Sequence, residues 1–335
     1  MAGNSNAKLK AFRLVEILNE KTDEEHPLNA SELCEELDRY NINAERKSIY
    51  SDVDVLVEAG YDVIKVSTPS KGYCMGERDF QMAEVRLLID AVQSAKFITE
   101  TKTTHLIEKI EKSLSKYQRE ALAKQVYINN RNKTNNEQIY YIIDELYRAI
   151  EEEKRVRVSY RKRRTEICGE SKFEERIITV NPYALIWSDD HYYLVGNNQK
   201  YDNIMHLRID RIKKVTPLEE KARHFSEVSE YKDHFDAADY VSKRFNMFSG
   251  QEDRVKIRCA NELTEVVFDK FGQNVMITDR DEDTFTISSN VAVSDGFISW
   301  VMQHGKKAVV LEPESLKEKI IERTREALDA YESND

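Results

Sequence analysis

The sequence predicts an α+β, multidomain protein, and three observations carry that prediction. Its 335 residues exceed the roughly 100–200 that one domain usually holds. Apolar residues recur at helical spacing through the first 153 positions, then alternate in twos from Arg155 onward. Polar, turn-forming stretches separate these blocks. The expected divisions are 1–78, 79–153, 154–220, 221–253 (a linker) and 254–335.

The first block reads as a winged helix-turn-helix. Leu9, Phe12, Leu14, Val15, Ile17 and Leu18 give an amphipathic helix. Asn29 or Ser31 can cap a second helix that carries Leu33 and Leu37. Asn43 can cap a third from about Ala44 to Ala59, which Gly60 ends. Ile49, Val53, Leu56 and Val57 form its apolar stripe. Arg46, Lys47, Ser48, Tyr50 and Ser51 gather near its N-terminal end, where a recognition helix meets duplex DNA. "YDVIKVSTPSKGYCM" then reads as two short strands, a wing with Lys65 and Lys71. An ordinary solvated helix face is the competing reading of the Arg-Lys pair. The pattern "RKSIYSDVDVL" also resembles the recognition helix of DeoR-like winged-helix regulators, although Ser51 stands where that family usually has arginine.

Residues 79–153 read as a helical connector. Its stripes are Val85/Leu88/Ile89/Val92, then Leu106/Ile107/Ile110/Leu114/Tyr117, then Ile139/Ile142/Ile143/Leu146/Ile150. They suit a dimerisation region or a plain spacer. "NNRNKTNN" (129–136) reads as a hinge.

From Arg155 the period becomes two, the mark of short antiparallel strands. Pro182 is expected to break one strand, and Asp189-Asp190 to turn the chain. His191, Tyr193 and Val195 share a face opposite Tyr192 and Leu194, which are expected in the core. Ile204, His206 and Arg208 oppose Met205, Leu207 and Ile209. "RKRRTEICGESKFEER" (161–176) is a nucleic-acid surface or a solvated hairpin.

Here "NPYALIWSDDHYYLVGNNQKYDNIMHLRIDRI" resembles the WYL domain. Tyr192-Tyr193-Leu194 stands for its signature, with Pro182-Tyr183 before it and Arg208-Ile209-Asp210-Arg211-Ile212 after it. Tyrosine replaces the signature tryptophan. The last block resembles the C-terminal extension that often follows WYL domains, with Trp300, Gly305 and Glu312-Pro313 in its helix–Gly–strand–Glu-Pro pattern. The resemblance implies a small antiparallel β, Sm/SH3-like WYL domain, an α/β extension domain, and a bacterial-type transcription regulator that senses nucleic acid or a nucleotide-like ligand. The groups suited to such a ligand are Tyr183, His191, Tyr193, His206, Arg208 and Arg211, with Arg176 as a further contact.

Charge divides to match. The chain's formal net charge is −10, yet residues 154–214 hold 14 Lys+Arg against 8 Asp+Glu. Residues 1–76 hold 9 against 14. Cys34, Cys74, Cys168 and Cys259 show no zinc or redox spacing and read as reduced cytosolic thiols. His191 and His206 fall short of the three or four ligands a zinc site takes. No set of acid, base and nucleophile stands out, and no apolar run approaches the roughly 20 residues of a membrane span. The expectation is therefore a cytoplasmic homodimer, not an enzyme, without metal or cofactor, that binds double-stranded DNA and a single-stranded nucleic acid or nucleotide-like ligand. The alternative is a single-stranded DNA- or RNA-binding accessory protein whose first domain is a protein-interaction module.

Overall fold

The structure, a computed structural model, describes residues 2–123, 133–165 and 171–332. Cys168 and residues 129–132 of the expected hinge lie outside the described residues. The chain divides into two compact units, Met1–Asn135 and Asn136–Asp335.

The first unit opens with helices α1 (Ala2–Lys21), α2 (Ala30–Asp38) and α3 (Arg46–Glu58), then a hairpin of β1 (Val63–Val66) and β2 (Gly72–Met75). Asn29 starts α2 with a capping box: its side chain accepts from Ser31 and Glu32 N–H groups, and Glu32 accepts from the Asn29 N–H. Helix α3 begins at Arg46, later than predicted, because the chain is still extended at Glu45. Glu45, not Asn43, occupies the cap position, without a side-chain bond. Leu14, Ile17, Leu18, Leu33, Leu37, Ile49, Val53 and Leu56 form the core. Three predicted stripe members point outward instead: Leu9 is 48% exposed, Phe12 69% and Val57 50%. Thr22 fastens the end of α1 to the hairpin by donating to Leu18 O and accepting from Met75 N–H. Helices α4 (Met82–Ser94), α5 (Glu100–Glu111) and α6 (Lys116–Ala123) follow. Val85, Ile89, Ile107, Leu114 and Leu122 make their core.

In the second unit, α7 (Ile139–Glu151) packs against β3, β4 and β7, so the third predicted connector helix belongs to the sheet it precedes. Strands β3 (Lys154–Thr165), β4 (Ser171–Ser188), β5 (His191–Asn197), β6 (Ile204–Arg208) and β7 (Ile212–Lys221) form one antiparallel sheet, ordered β6-β5-β4-β3-β7. Pro182 does not end β4. Its pairing with β5 shifts register between Pro182 and Ala184, so the missing N–H falls at an irregularity and the strand continues. Asp189 and Asp190 both adopt positive φ, 49° and 59°, the geometry of a tight hairpin turn. Leu194 is fully buried, whereas Tyr192 is only half-buried. Two buried amides pin the sheet's connections. Asn181 Nδ2 donates to Asn197 Oδ1, Asn197 Nδ2 donates to Tyr201 O and Asn203 O, and Asn181 Oδ1 accepts from Arg223 N–H.

The stretch expected as a linker folds onto this sheet. After a single 3-10 turn at Phe225–Glu227, it forms helix α8 (Ala237–Ser242). Tyr240 and Met247 bury themselves against Ile186 and Val195, with Tyr231, Phe235 and Val241 packed around them. Each large side chain so buried contributes about 1.5–3 kcal/mol, too much for a loose tether.

The last domain runs β8 (Gln251–Ala260), α9 (Thr264–Phe271), β9 (Met276–Arg280), β10 (Thr284–Val293), α10 (Asp295–Gln303), β11 (Ala308–Glu312) and α11 (Glu314–Glu332). Its antiparallel sheet is ordered β11-β8-β10-β9. Val255, Ile257, Ile287, Phe297 and Val310 lie in its core. The sequence pattern does not distinguish α9 and β9.

Candidate nucleic-acid interface

Helix α3 separates two chemistries by its own periodicity. Ile49, Val53 and Leu56 are buried, while Arg46, Lys47, Tyr50 and Ser51 are exposed. Lys10 of α1 holds α3 by a 2.6 Å ion pair with Asp52 and a 3.3 Å bond to Ser48 Oγ. Ser48 in turn donates to Glu45 O at 2.9 Å, so it orders the helix start. Tyr50 lies tilted beside Tyr73 of the hairpin, ring centroids 6.4 Å apart. Lys65 and Lys71 are exposed, Lys65 on β1 and Lys71 just before β2. The result is an exposed helix N-terminus carrying two cations beside a hairpin carrying two more.

The residues predicted for the second site divide into three groups. Tyr183 and His206 are covered by residues 225–249. The Tyr183 ring lies 6.2 Å from both Phe225 and Phe235, and burial pushes its phenol up to about 12. His206 Nε2 meets the Tyr240 hydroxyl at 2.9 Å, and Nδ1 lies 3.3 Å from Ser249 Oγ. Burial, then the nearby Arg244 charge, lowers His206 from 6.5 to about 4. It is a neutral imidazole at neutral pH.

Tyr193 and Arg208 form the second group, directly paired across β5 and β6. Arg208 is held by a two-point bond to Asp210, Nε to Oδ1 at 3.0 Å and Nη2 to Oδ2 at 2.7 Å. Tyr193 is half-buried, and His191 meets its ring edge-on at 6.3 Å. Arg211 is exposed just beyond β6. This rim can offer a fixed guanidinium plane and two aromatic groups to an anionic, planar ligand.

Arg176 lies on β4. It pairs with Tyr160, on the face that carries Val156 and Val158, and bonds to Glu174 at 2.7 Å. Tyr160, its ladder partner, lies within the electrostatic reach of Arg208.

The covering segment supplies groups that the sequence pattern does not single out. Tyr240 is 1% exposed, and the Arg244 guanidinium lies 3.3 Å above its ring. Arg244 also donates to Tyr240 O and pairs with Glu252 at 3.1 Å. A cavity of about 580 Å³ opens beside them, lined by Ile204, Tyr231, Tyr240, Arg244 and Glu252 among others. The available signal was aromatic density: Phe225, Tyr231, Phe235, Tyr240, Phe245 and Phe248 fall within 24 residues, more than a solvated linker carries.

Among the described residues, no three His, Cys, Asp or Glu side chains gather as a metal site, and no helix is long and apolar enough to cross a membrane.

Two family models match the chain. The WYL domain covers residues 141–217 and the WCX domain covers residues 251–328. The WYL match therefore takes in most of α7 with the five-stranded sheet. A solved structure similar to the chain is the proteasome accessory factor B/C (PafBC) of Arthrobacter aurescens, at 15% identity and a TM-score of 0.27. The match covers 96% of this chain and 47% of that one, so this chain spans about half its length. No curated protein matches.

Proposed function

We propose that this WYL- and WCX-domain chain is a cytoplasmic, homodimeric transcription regulator without catalytic activity. In this reading the first unit is a winged helix-turn-helix that binds duplex DNA through Arg46, Lys47, Ser48, Tyr50 and Ser51, with Lys65 and Lys71 on the wing. The WYL domain is a small antiparallel β, Sm/SH3-like domain that senses a single-stranded nucleic acid or nucleotide-like ligand through Arg208, Tyr193, His191 and Arg211.

The observation that carries the reading is the division of α3. Its buried stripe fixes it to the domain, and its exposed N-terminal face carries Arg46 and Lys47. A helix that reads bases in the major groove needs this arrangement. The acidity of the whole chain opposes it little, because charges beyond roughly 8–10 Å are screened at physiological salt.

A genomic binding map of the tagged protein tests the proposal. Discrete duplex sites, bound in vitro and weakened by Arg46→Ala/Lys47→Ala, are expected. Recovery of RNA without duplex sites would overturn it in favour of a single-strand-binding accessory protein.

A further inference from the structure

One half of the WYL sheet's outer face is uncovered. Residues 225–249 cover this face where β5, β6 and the end of β4 lie, but not at β3, β7 and the start of β4. The register defines what the open half presents. Val156 and Val158 are buried toward α7, so Arg157, Ser159 and Arg161 point to the opposite face. Across the ladders, Ser159 pairs with Ile177 on one side and Lys214 on the other. Arg157 pairs with Thr179 and Thr216, and Arg161 pairs with Glu175. The pairing slips between Ser159 and Tyr160, and Lys213 reaches Glu175 on this same face at 3.2 Å.

Three properties of this surface point to one kind of occupant. The first is charge: Arg157, Arg161, Lys213 and Lys214 stand here against Glu175, whose carboxylate is already engaged by Ser159 at 2.6 Å and by Lys213. Arg157, Arg161 and Lys214 have no ion-pair partner among the described residues. The second is spacing. Arg157 and Arg161 stand four residues, about 13 Å, apart on β3, and Lys214 stands across from Ser159 between them, so the cations form a track along β3 and β7 instead of a cluster. The third is exposed apolar area between the cations. Ile177 is 73% exposed and Phe173 55%, and the Arg161 guanidinium lies 6.0 Å from the Phe173 ring centroid.

We infer that the β3–β4–β7 face binds the backbone of a single-stranded nucleic acid, as a surface separate from the Arg208 rim. Regularly spaced cations follow the phosphates, and the Phe173 ring and the exposed apolar surface of Ile177 suit base faces that only an unpaired strand presents. Guanidinium forks match phosphate oxygens in pairs. An acidic peptide fits less well. Extended peptides gain affinity by adding to a strand edge, whereas Arg157 and Arg161 stand on β3, which β4 and β7 enclose. The inference rests on the reading of the WYL domain as a nucleic-acid sensor and extends its binding surface beyond Arg208.

The test uses the full chain and a short labelled oligothymidylate, with fluorescence polarisation measured across about 50 to 200 mM salt. Arg157→Gln/Arg161→Gln/Lys214→Gln removes three cations from the phosphate track. The slope of log affinity against log salt should fall by about 2, and affinity at physiological salt by roughly tenfold to a hundredfold. Arg157→Lys/Arg161→Lys should keep most of the slope, because it keeps the charge. Circular-dichroism melts of both variants confirm that they fold. If wild type binds and the glutamine variant matches its slope and affinity, this surface is overturned while the sensor reading stands. If wild type binds no oligothymidylate, both fall. Arg157-dependent binding of polyglutamate alone would assign the face to a protein partner and overturn the inference.

Discussion

Acidification should loosen residues 225–249 from the WYL sheet, and His206 determines by how much. The imidazole is closed in by Tyr240 and Ser249, with the Arg244 charge nearby, and is lowered from 6.5 to about 4. Opening the segment would return it to water and to its ordinary value. Above about pH 6.5 neither form holds the proton, so stability there is independent of this group. As pH falls below 6.5, the open form takes a proton that the closed form refuses. Stability therefore declines until about pH 4, where the closed form also protonates. The full loss is about 3 kcal/mol, and about 2 kcal/mol has gone by pH 5. Glu230 and Asp239, which Lys243 holds below their ordinary values of 4.5 and 3.8, lose their contribution only at lower pH. Native-state hydrogen exchange measures the effect at the Tyr240 and Arg244 amides, which bond to Asp236 O and Val241 O. After correction for intrinsic exchange, their opening free energy should be about 2 kcal/mol lower at about pH 5 than at neutral pH. His206→Phe should abolish the difference. An equal fall in that variant, or none in wild type, would refute the reasoning.

Arg46→Ala/Lys47→Ala should weaken operator binding by about 1–3 kcal/mol for each base interaction removed, in a mobility-shift titration at fixed salt. Unchanged affinity would remove α3 as the reader. Light scattering should report about twice the 39.2 kDa chain mass, and a monomer at micromolar concentration, with and without DNA, would contradict the dimer. Arg208→Ala should weaken oligonucleotide binding, leaving the share carried by the β3–β4–β7 face, yet preserve operator binding in the absence of that ligand. Collapse of both would instead assign the Arg208–Asp210 pair a structural role.

The sequence revealed elements where one periodicity ran uninterrupted. Ile49, Val53 and Leu56 marked the inner face of α3, and the alternation of Val156 and Val158 marked that of β3. Val57 was misplaced because a stripe read four residues at a time does not fix the edge of a helix face. Residues 225–249 were illegible for a different reason. Phe225, Tyr231, Phe235 and Tyr240 follow neither a helical nor a strand period, because they descend onto the sheet from an irregular chain. Burial there is decided by the sheet beneath them, a long-range fact that local spacing does not encode. The same gap affected the site. His206 and Arg208 share a strand face, and nothing nearby in sequence says that Tyr240 covers one and leaves the other at the rim.

Asn181 and Asn197 bear on how the β4–β5 hairpin finds its alignment. Slipping one strand by a single residue would turn Tyr193 and Val195 to the wrong face, which the hydrophobic pattern forbids. A slip of two residues would keep every face intact, so apolar burial alone hardly resists it. The two amides do resist it. They meet only when Asn181 stands opposite Asn197, and a two-residue slip would leave Asn181 Nδ2 without its acceptor and Asn197 Oδ1 without its donor, while Asn197 Nδ2 keeps the carbonyls of Tyr201 and Asn203 in its own loop. Each orphaned polar group costs about 1–3 kcal/mol. Gly196 adds a steric stop, since a Cβ there would lie 2.5 Å from Asn181 O, so the neighbouring side chains that a slip brings to this position do not fit. The polar pair thus selects among alignments that the greasy residues treat as equivalent, and it places Tyr193 opposite Ile186 instead of two residues along.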